Sequence, residues 1–188
     1  MTPPQSDQPT IYQLRITLHG SDPSVWRRVH VRGEVTLHRL HRTLQALWGW
    51  SGAQPHQFVA YRVHYGTPDP EDERGRKNDQ SARLNDVAPG PRSKLAYQYG
   101  AGESWWFEIV VEKTLPAAPN THYPLCLEGE RAAPPEDCGG PAAYHRLLQA
   151  LRDPADPQHA VALARWGGSF DAKTFDVGVV NGRLRSIR

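Results

Sequence analysis

Long apolar runs are missing from this 188-residue chain. No stretch approaches the roughly 20 residues a membrane-spanning helix needs, so no membrane is expected among its partners. The first residues, MTPPQSDQPT, lack the basic start and apolar centre of a secretory signal. They read as a disordered leader over 1–10, and a cytoplasmic location is expected. Cysteine is scarce: only Cys126 and Cys138 are present. In a reducing compartment two such thiols stay free or bind metal. A strong excess of one charge is also missing, since 22 Lys and Arg face 20 Asp and Glu for a net +2. That balance is too even to argue by itself for nucleic acid. Internal repeats and paired CxxC knuckles are absent as well.

What remains is a chain able to bury one core. Hydrophobic residues make up 38%, including six Trp, seven Tyr and four Phe, enough for a single well-buried domain. Sixteen Gly and seventeen Pro indicate many stiff loops. Residues 11–19 alternate, with Tyr12, Leu14, Ile16 and Leu18 on one face, the pattern of a half-buried strand. After a turn at Gly20 to Ser24, Val25 to Val31 returns as its hairpin partner, with Val25, Val29 and Val31 inward. Thr36 can cap a helix over 37–48, whose apolar stripe is Leu37, Leu40, Leu44, Leu47 and Trp48, and Gly49 stops it. A strand is expected over 57–65. A charged, exposed loop is expected over 67–83, and Leu84 to Val87 then rejoins the core. Lys94 to Tyr99 and Trp105 to Lys113 alternate as a second hairpin.

This order predicts an α+β fold: a mixed sheet with one covering helix, β-grasp-like, followed by a short-helix region. The sheet domain is expected over 11–115. Residues 116–188 are expected as a Cys/Pro-rich loop and helices packed on the same core. Those helices are placed near 141–152, 157–166 and 172–183. Pro141 and Pro157 sit in first-turn positions, and Asp156 and Asp171 are N-cap candidates. Phe170 and Phe175 bracket Asp171 as a hydrophobic staple.

The densest local signal is Cys126 to Pro141, CLEGERAAPPEDCGGP. Both cysteines, a double proline, the acidic pair Glu136 and Asp137 and a Gly-Gly-Pro stop lie within it. It reads as a loop built to one shape.

These blocks together resemble the Ri-plasmid ORF-three-like family, often filed as insertion-sequence passenger (TnpR-like) proteins. The residues that carry the likeness are WRR at Trp26 to Arg28, TLHRLHRTLQALWGW from Thr36 to Trp50, and HQF at His56 to Phe58. YG at Tyr65 and Gly66, PLCLEGERAAPPEDCGGPAAY from Pro124 to Tyr144 and WGGSFDAKTFDVGVVNGRL from Trp166 to Leu184 complete it. The resemblance implies one α+β domain with a helical C-terminal part and an association with plasmids or transposons, not a particular reaction. No serine or tyrosine recombinase constellation is present. Relatives carry a third cysteine where this chain has Ala133. They also read Tyr-Asp-Phe-Gly-Asp, with a histidine soon after, where this chain has Tyr99, Gly100, Ala101, Gly102 and Glu103, then Phe107.

Four groups of residues can carry chemistry. Cys126 and Cys138, completed by His122 and His145, offer soft ligands for zinc; alternatively the thiols are buried and pin the loop. His41 lies at the edge of the helical stripe and His56 follows it, a pair able to bind metal, move protons or simply pack. Glu136 and Asp137 are acid-base or metal candidates, or acceptors for loop N–H groups. Arg15, Arg27, Arg28, Arg39 and Arg42 make a basic N-terminal half suited to phosphate or to a protein partner. Two functions follow. One is a non-enzymatic module binding a protein or nucleic acid. The other is a metal-dependent enzyme, or a degenerate relative of one, with its site between the 37–48 helix and the 126–141 loop.

Overall fold

Alternation along the first two strands decides which side of the sheet is buried. β1 (Thr10–Leu18) and β2 (Trp26–Arg32) pair antiparallel, with Leu14 opposite Val29 and Tyr12 opposite Val31. The computed structural model describes residues 9–69, 75–166 and 170–187. The expected leader therefore lies outside the described residues up to position 8, as do 70–74 of the charged loop. Tyr12, Leu14, Ile16 and Leu18 are buried with Val25, Val29 and Val31, as a side-chain period of two requires. Arg27 shares the phase of those valines and is only 2% exposed.

α1 (Leu37–Trp48) has the expected bounds for the expected reasons. Thr36 Oγ1 accepts the Arg39 N–H at 3.2 Å, and Gly49 takes the left-handed conformation at φ 72°. Its leucine face enters the same core as the inner residues of β1 and β2.

The expected single strand over 57–65 is two strands, β3 (His56–Ala60) and β4 (Val63–Gly66). Tyr61 and Arg62 make the reversal at φ 48° and 68°. Such a two-residue turn matches strand twist, but it is built here without glycine. β5 (Lys77–Asn78) adds a short parallel strand, and α2 (Leu84–Val87) returns the chain to the core. β6 (Lys94–Tyr99) and β7 (Trp105–Pro116) form the second hairpin.

One element in the segment expected as loop is a strand, β8 (Leu125–Glu130), paired antiparallel with β2. The result is an eight-stranded mixed sheet in the order β5-β4-β3-β6-β7-β1-β2-β8. Asn181 protects the β8 edge. Its Oδ1 accepts the Cys126 N–H at 2.8 Å, and its Nδ2 donates to the Cys126 carbonyl at 2.9 Å, as a neighbouring strand would.

Three helices follow: α3 (Gly140–Arg152), α4 (His159–Arg165) and α5 (Val177–Leu184). Pro141 is in the first turn of α3. Asp156 accepts the Gln158 N–H in a turn, while Gln158 occupies the N-cap of α4. Asp171 likewise holds a turn through Lys173. The α5 cap is Asp176, whose Oδ1 accepts from Gly178 and Val179. Leu147, Val180 and Leu184 belong to the same apolar cluster as Leu14, Phe58 and Tyr97.

Candidate functional site

His38 and His41 lie three apart on α1 and share a face. His56 opens β3 beside them. The third contributor comes from the charged connection. Asp79 is pinned by its N–H to Gly66 O at 3.2 Å, and its carbonyl accepts the His38 N–H at 3.0 Å. Its carboxylate is thereby turned inward and is 1% exposed.

The resulting cluster is compact. The His41 and His56 rings stack with centroids 3.6 Å apart and planes within 4°. His56 Nε2 lies 2.8 Å from Asp79 Oδ2, and His38 Nδ1 lies 3.6 Å from the same oxygen. One nitrogen from each of His38 and His56 and an Asp79 oxygen all fall within 4.8 Å of one another. The His38 side chain is 43% exposed, so the group opens to solvent at that end.

Behind it, Gln45 Nε2 donates to the Tyr97 hydroxyl at 2.7 Å, and that hydroxyl sits 2.7 Å from His41 Nδ1. With the amide donating, the phenol O–H is directed at Nδ1, and a neutral His41 carries its proton on Nε2. Burial is the main reason the His41 imidazole is pushed down to about 3, helped by His56, His38 and Arg42 and opposed by Asp79. Burial pushes the Asp79 carboxyl up, but the His56 hydrogen bond and the nearby imidazoles outweigh it and hold the group below its ordinary value. Burial holds the Tyr97 phenol well above its ordinary range.

Ser51 stands between two cavities. One, of about 610 Å³, is walled by His38, His41, Arg42, Gln45 and Arg183. The other, of about 490 Å³, is walled by Tyr99, Glu103, Glu136 and Asp137. Glu136 is a strut between the shaped loop and this wall. It accepts the Ser51 N–H at 2.7 Å, the Ser51 hydroxyl at 2.8 Å and the Tyr99 hydroxyl at 2.5 Å. Burial raises its carboxyl, and the Tyr99 and Ser51 bonds bring it below its ordinary value. Trp50 Nε1 donates to Pro134 O at 2.9 Å on the same loop. Asp137 is exposed and meets Arg165 at 3.4 Å. The structure thus brings His41 and His56 together, while Glu136 and Asp137 face the second cavity.

Cys126, Cys138, His122 and His145 are not gathered. Among the described residues, no three of them place ligand atoms within 4.8 Å. Cys126 Sγ faces Glu128 O, Cys138 Sγ faces Gly140 O, His145 bonds Gly20 O at 2.8 Å, and His122 is exposed. Both thiols are buried, which pushes each up to about 11.

The five arginines scatter too. Arg27 is no surface group. Its guanidinium donates to the carbonyls of Trp26, Glu130 and Arg131 at 2.7–2.9 Å and lies between the rings of Trp48 and Phe175. The inward phase of β2 put it there. Arg28 is paired with Glu112 and Glu128 on the opposite face, and Arg15 lies 4.2 Å over the Trp26 ring. Arg39 and Arg42 are exposed on α1. Phe107 is a core residue.

Asp79, Tyr97 and Gln45 went unnoticed in the sequence. His38 was not among the candidates either, and nothing singled out Asp79 among the acids of 67–83.

Three comparisons bear on the chain. The family model for the plasmid pRiA4b ORF-3-like protein matches residues 10–179. The uncharacterised protein y4hQ of Sinorhizobium fredii is 37% identical over 163 residues, covering 86% of this chain and 83% of that protein. The crystal structure of a protein of unknown function, MM3350 from Methanosarcina mazei Go1, superposes with a TM-score of 0.84. It does so at 27% identity, covering 91% of this chain and 97% of that one.

Proposed function

The chain belongs to the plasmid pRiA4b ORF-3-like family, and from that premise we propose that it is a divalent-metal protein whose ligands are His38, His56 and Asp79. The observation that carries this reading is the convergence of two imidazole nitrogens and a buried carboxylate oxygen within 4.8 Å. Imidazole and carboxylate together suit zinc and neighbouring transition metals. Three side-chain ligands are one fewer than a closed structural zinc site uses, and the exposed end at His38 leaves a position for water or substrate. A metal held there would supply Lewis-acid chemistry. His41 positions His56 by stacking and stays neutral, adding no positive charge beside a cation.

The test is metal content and titration with zinc and manganese on chelator-stripped protein. One equivalent is expected to bind the wild type. Uptake is expected to fall in His38→Gln and His56→Ala and to persist in Cys126→Ala/Cys138→Ala. No stoichiometric uptake by the wild type overturns the reading. Loss only in the cysteine variant moves the metal to the thiols.

A second reading, a non-enzymatic module for a protein or nucleic acid in a transposon-associated setting, has one observation in its favour. Arg15 and Trp26 form a cationic-aromatic patch on the polar sheet face, a surface suited to stacking or phosphate contact. Salt-dependent binding of single-stranded DNA, lost in Arg15→Ala, is the result that would promote it.

A further inference from the structure

We infer that the 610 Å³ cavity beside His38 binds a small phosphate-bearing anion. The inference deepens the metal reading by naming the ligand class, and rests on it only for the end of the cavity at which the metal would sit.

Charge is the first argument. Arg42 and Arg183 line the cavity with His38 and His41, and no carboxylate lies among the described lining residues. Arg42 is exposed and makes no ion pair among the described residues. The neighbouring cavity across Ser51 carries Glu103, Glu136 and Asp137. The lining charge favours an anion here over there, with the nearest carboxylates, Asp79 at 3.6 Å from His38 Nδ1 and Glu136 on the Ser51 N–H, lying outside the wall.

Geometry is the second. Arg183 Nη1 donates to Ala46 O at 3.3 Å, which lays the guanidinium over Gly49. A Cβ at Gly49 would approach that nitrogen to 2.6 Å. The glycine that ends α1 therefore also makes room for the arginine. One N–H of Arg183 is spent on α1, and the rest of the fork is left for a ligand. Two of the α1 carbonyls that would oppose an anion are hydrogen-bonded, Gln45 O by the N–H groups of Gly49 and Trp50 and Ala46 O by Arg183.

Size and position are the third. About 610 Å³ falls in the range of small-molecule sites. His38 is both a cavity wall and a ligand in the metal reading. An anion bound by Arg42 and Arg183 would therefore share the cavity with the exposed end of the proposed metal site.

Calorimetric titration with inorganic phosphate and with phenyl phosphate, on chelator-stripped and zinc-loaded protein, tests this. Both probes are expected to bind the stripped wild type. Each of Arg42→Gln and Arg183→Gln is expected to weaken binding about tenfold, Arg42→Gln being the cleaner variant because the side chain is exposed. Tighter binding of phenyl phosphate identifies a phosphomonoester as the ligand; equal binding identifies free phosphate. Arginine-dependent binding that survives in Asp79→Asn upholds the cavity even if the metal reading fails. Binding that requires zinc and ignores both arginine substitutions overturns the cavity and leaves the metal standing. No binding to either form of the wild type overturns it outright.

Discussion

Acidification should destabilise this protein through His41 before its carboxylates are involved. The imidazole titrates near 6.5 when free and about 3 in the fold. Between those values the unfolded chain takes up a proton that the folded chain refuses, so stability rises with pH across this window and is lost as pH falls below 6.5. From pH 7 to pH 5 the loss from this one group is about 2 kcal/mol, at ~1.4 kcal/mol for each pH unit below the unfolded value. The structural causes are burial, the His56 ring stacked at 3.6 Å, and the nearby His38 and Arg42, with Asp79 acting the other way. Asp79, Glu112 and Glu136 are held below their ordinary values. Their stability is lost at lower pH and lies mostly outside this interval. His30 is shifted in the same direction as His41, so a variant is needed to isolate the effect. His41→Gln keeps a partner for Tyr97 and cannot titrate. Urea unfolding with chelator present, at pH 7 and pH 5, should show the wild type losing about 2 kcal/mol more than the variant. Equal losses in the two proteins would refute the assignment of a neutral, desolvated His41.

Two further substitutions probe the fold that holds the site. Arg27→Met keeps the aliphatic stem but removes three bonds to backbone carbonyls and two ring contacts. It is expected to cost about 3–5 kcal/mol in urea unfolding, with Arg27→Lys in between; a loss under about 1 kcal/mol would mean that the charge is dispensable. Asn181→Ala frees the edge groups of Cys126. It should cost about 1–3 kcal/mol and produce concentration-dependent association detectable by light scattering; a variant as stable and as monodisperse as the wild type would remove the edge-cover role.

The parts of the fold legible in the sequence were those in which a local signal and the tertiary outcome agree. α1 has a capping threonine, a leucine face and a terminal glycine, and it has the expected bounds. The inward residues of β1 and β7 alternate and are buried. Where the outcome depends on a distant partner, the signal was weak. β8 shows no clean alternation and becomes a strand by pairing with β2. The Tyr61–Arg62 reversal uses positive φ at residues that rarely adopt it, so no glycine marks it. Asp79 sits among many acids and is singled out only when the connection docks on α1. Arg27 was legible in principle, since it falls in the phase of Val25, Val29 and Val31. Its charge argued for the surface, and three carbonyls and two rings reversed that argument.

The Arg27 enclosure has a consequence for how the chain reaches this state. Its walls come from β2, from α1 through Trp48, from the β8 end, and from Phe175 just ahead of α5. A chain emerging from the ribosome can assemble the first three before Phe175 has been made, and until then one face of the guanidinium stays open to water. Phe175 covers that last face, so the final segment completes the enclosure. Proteolytic trimming from the C-terminus should accordingly unseat the sheet interior, far from the cut, instead of merely shortening the protein.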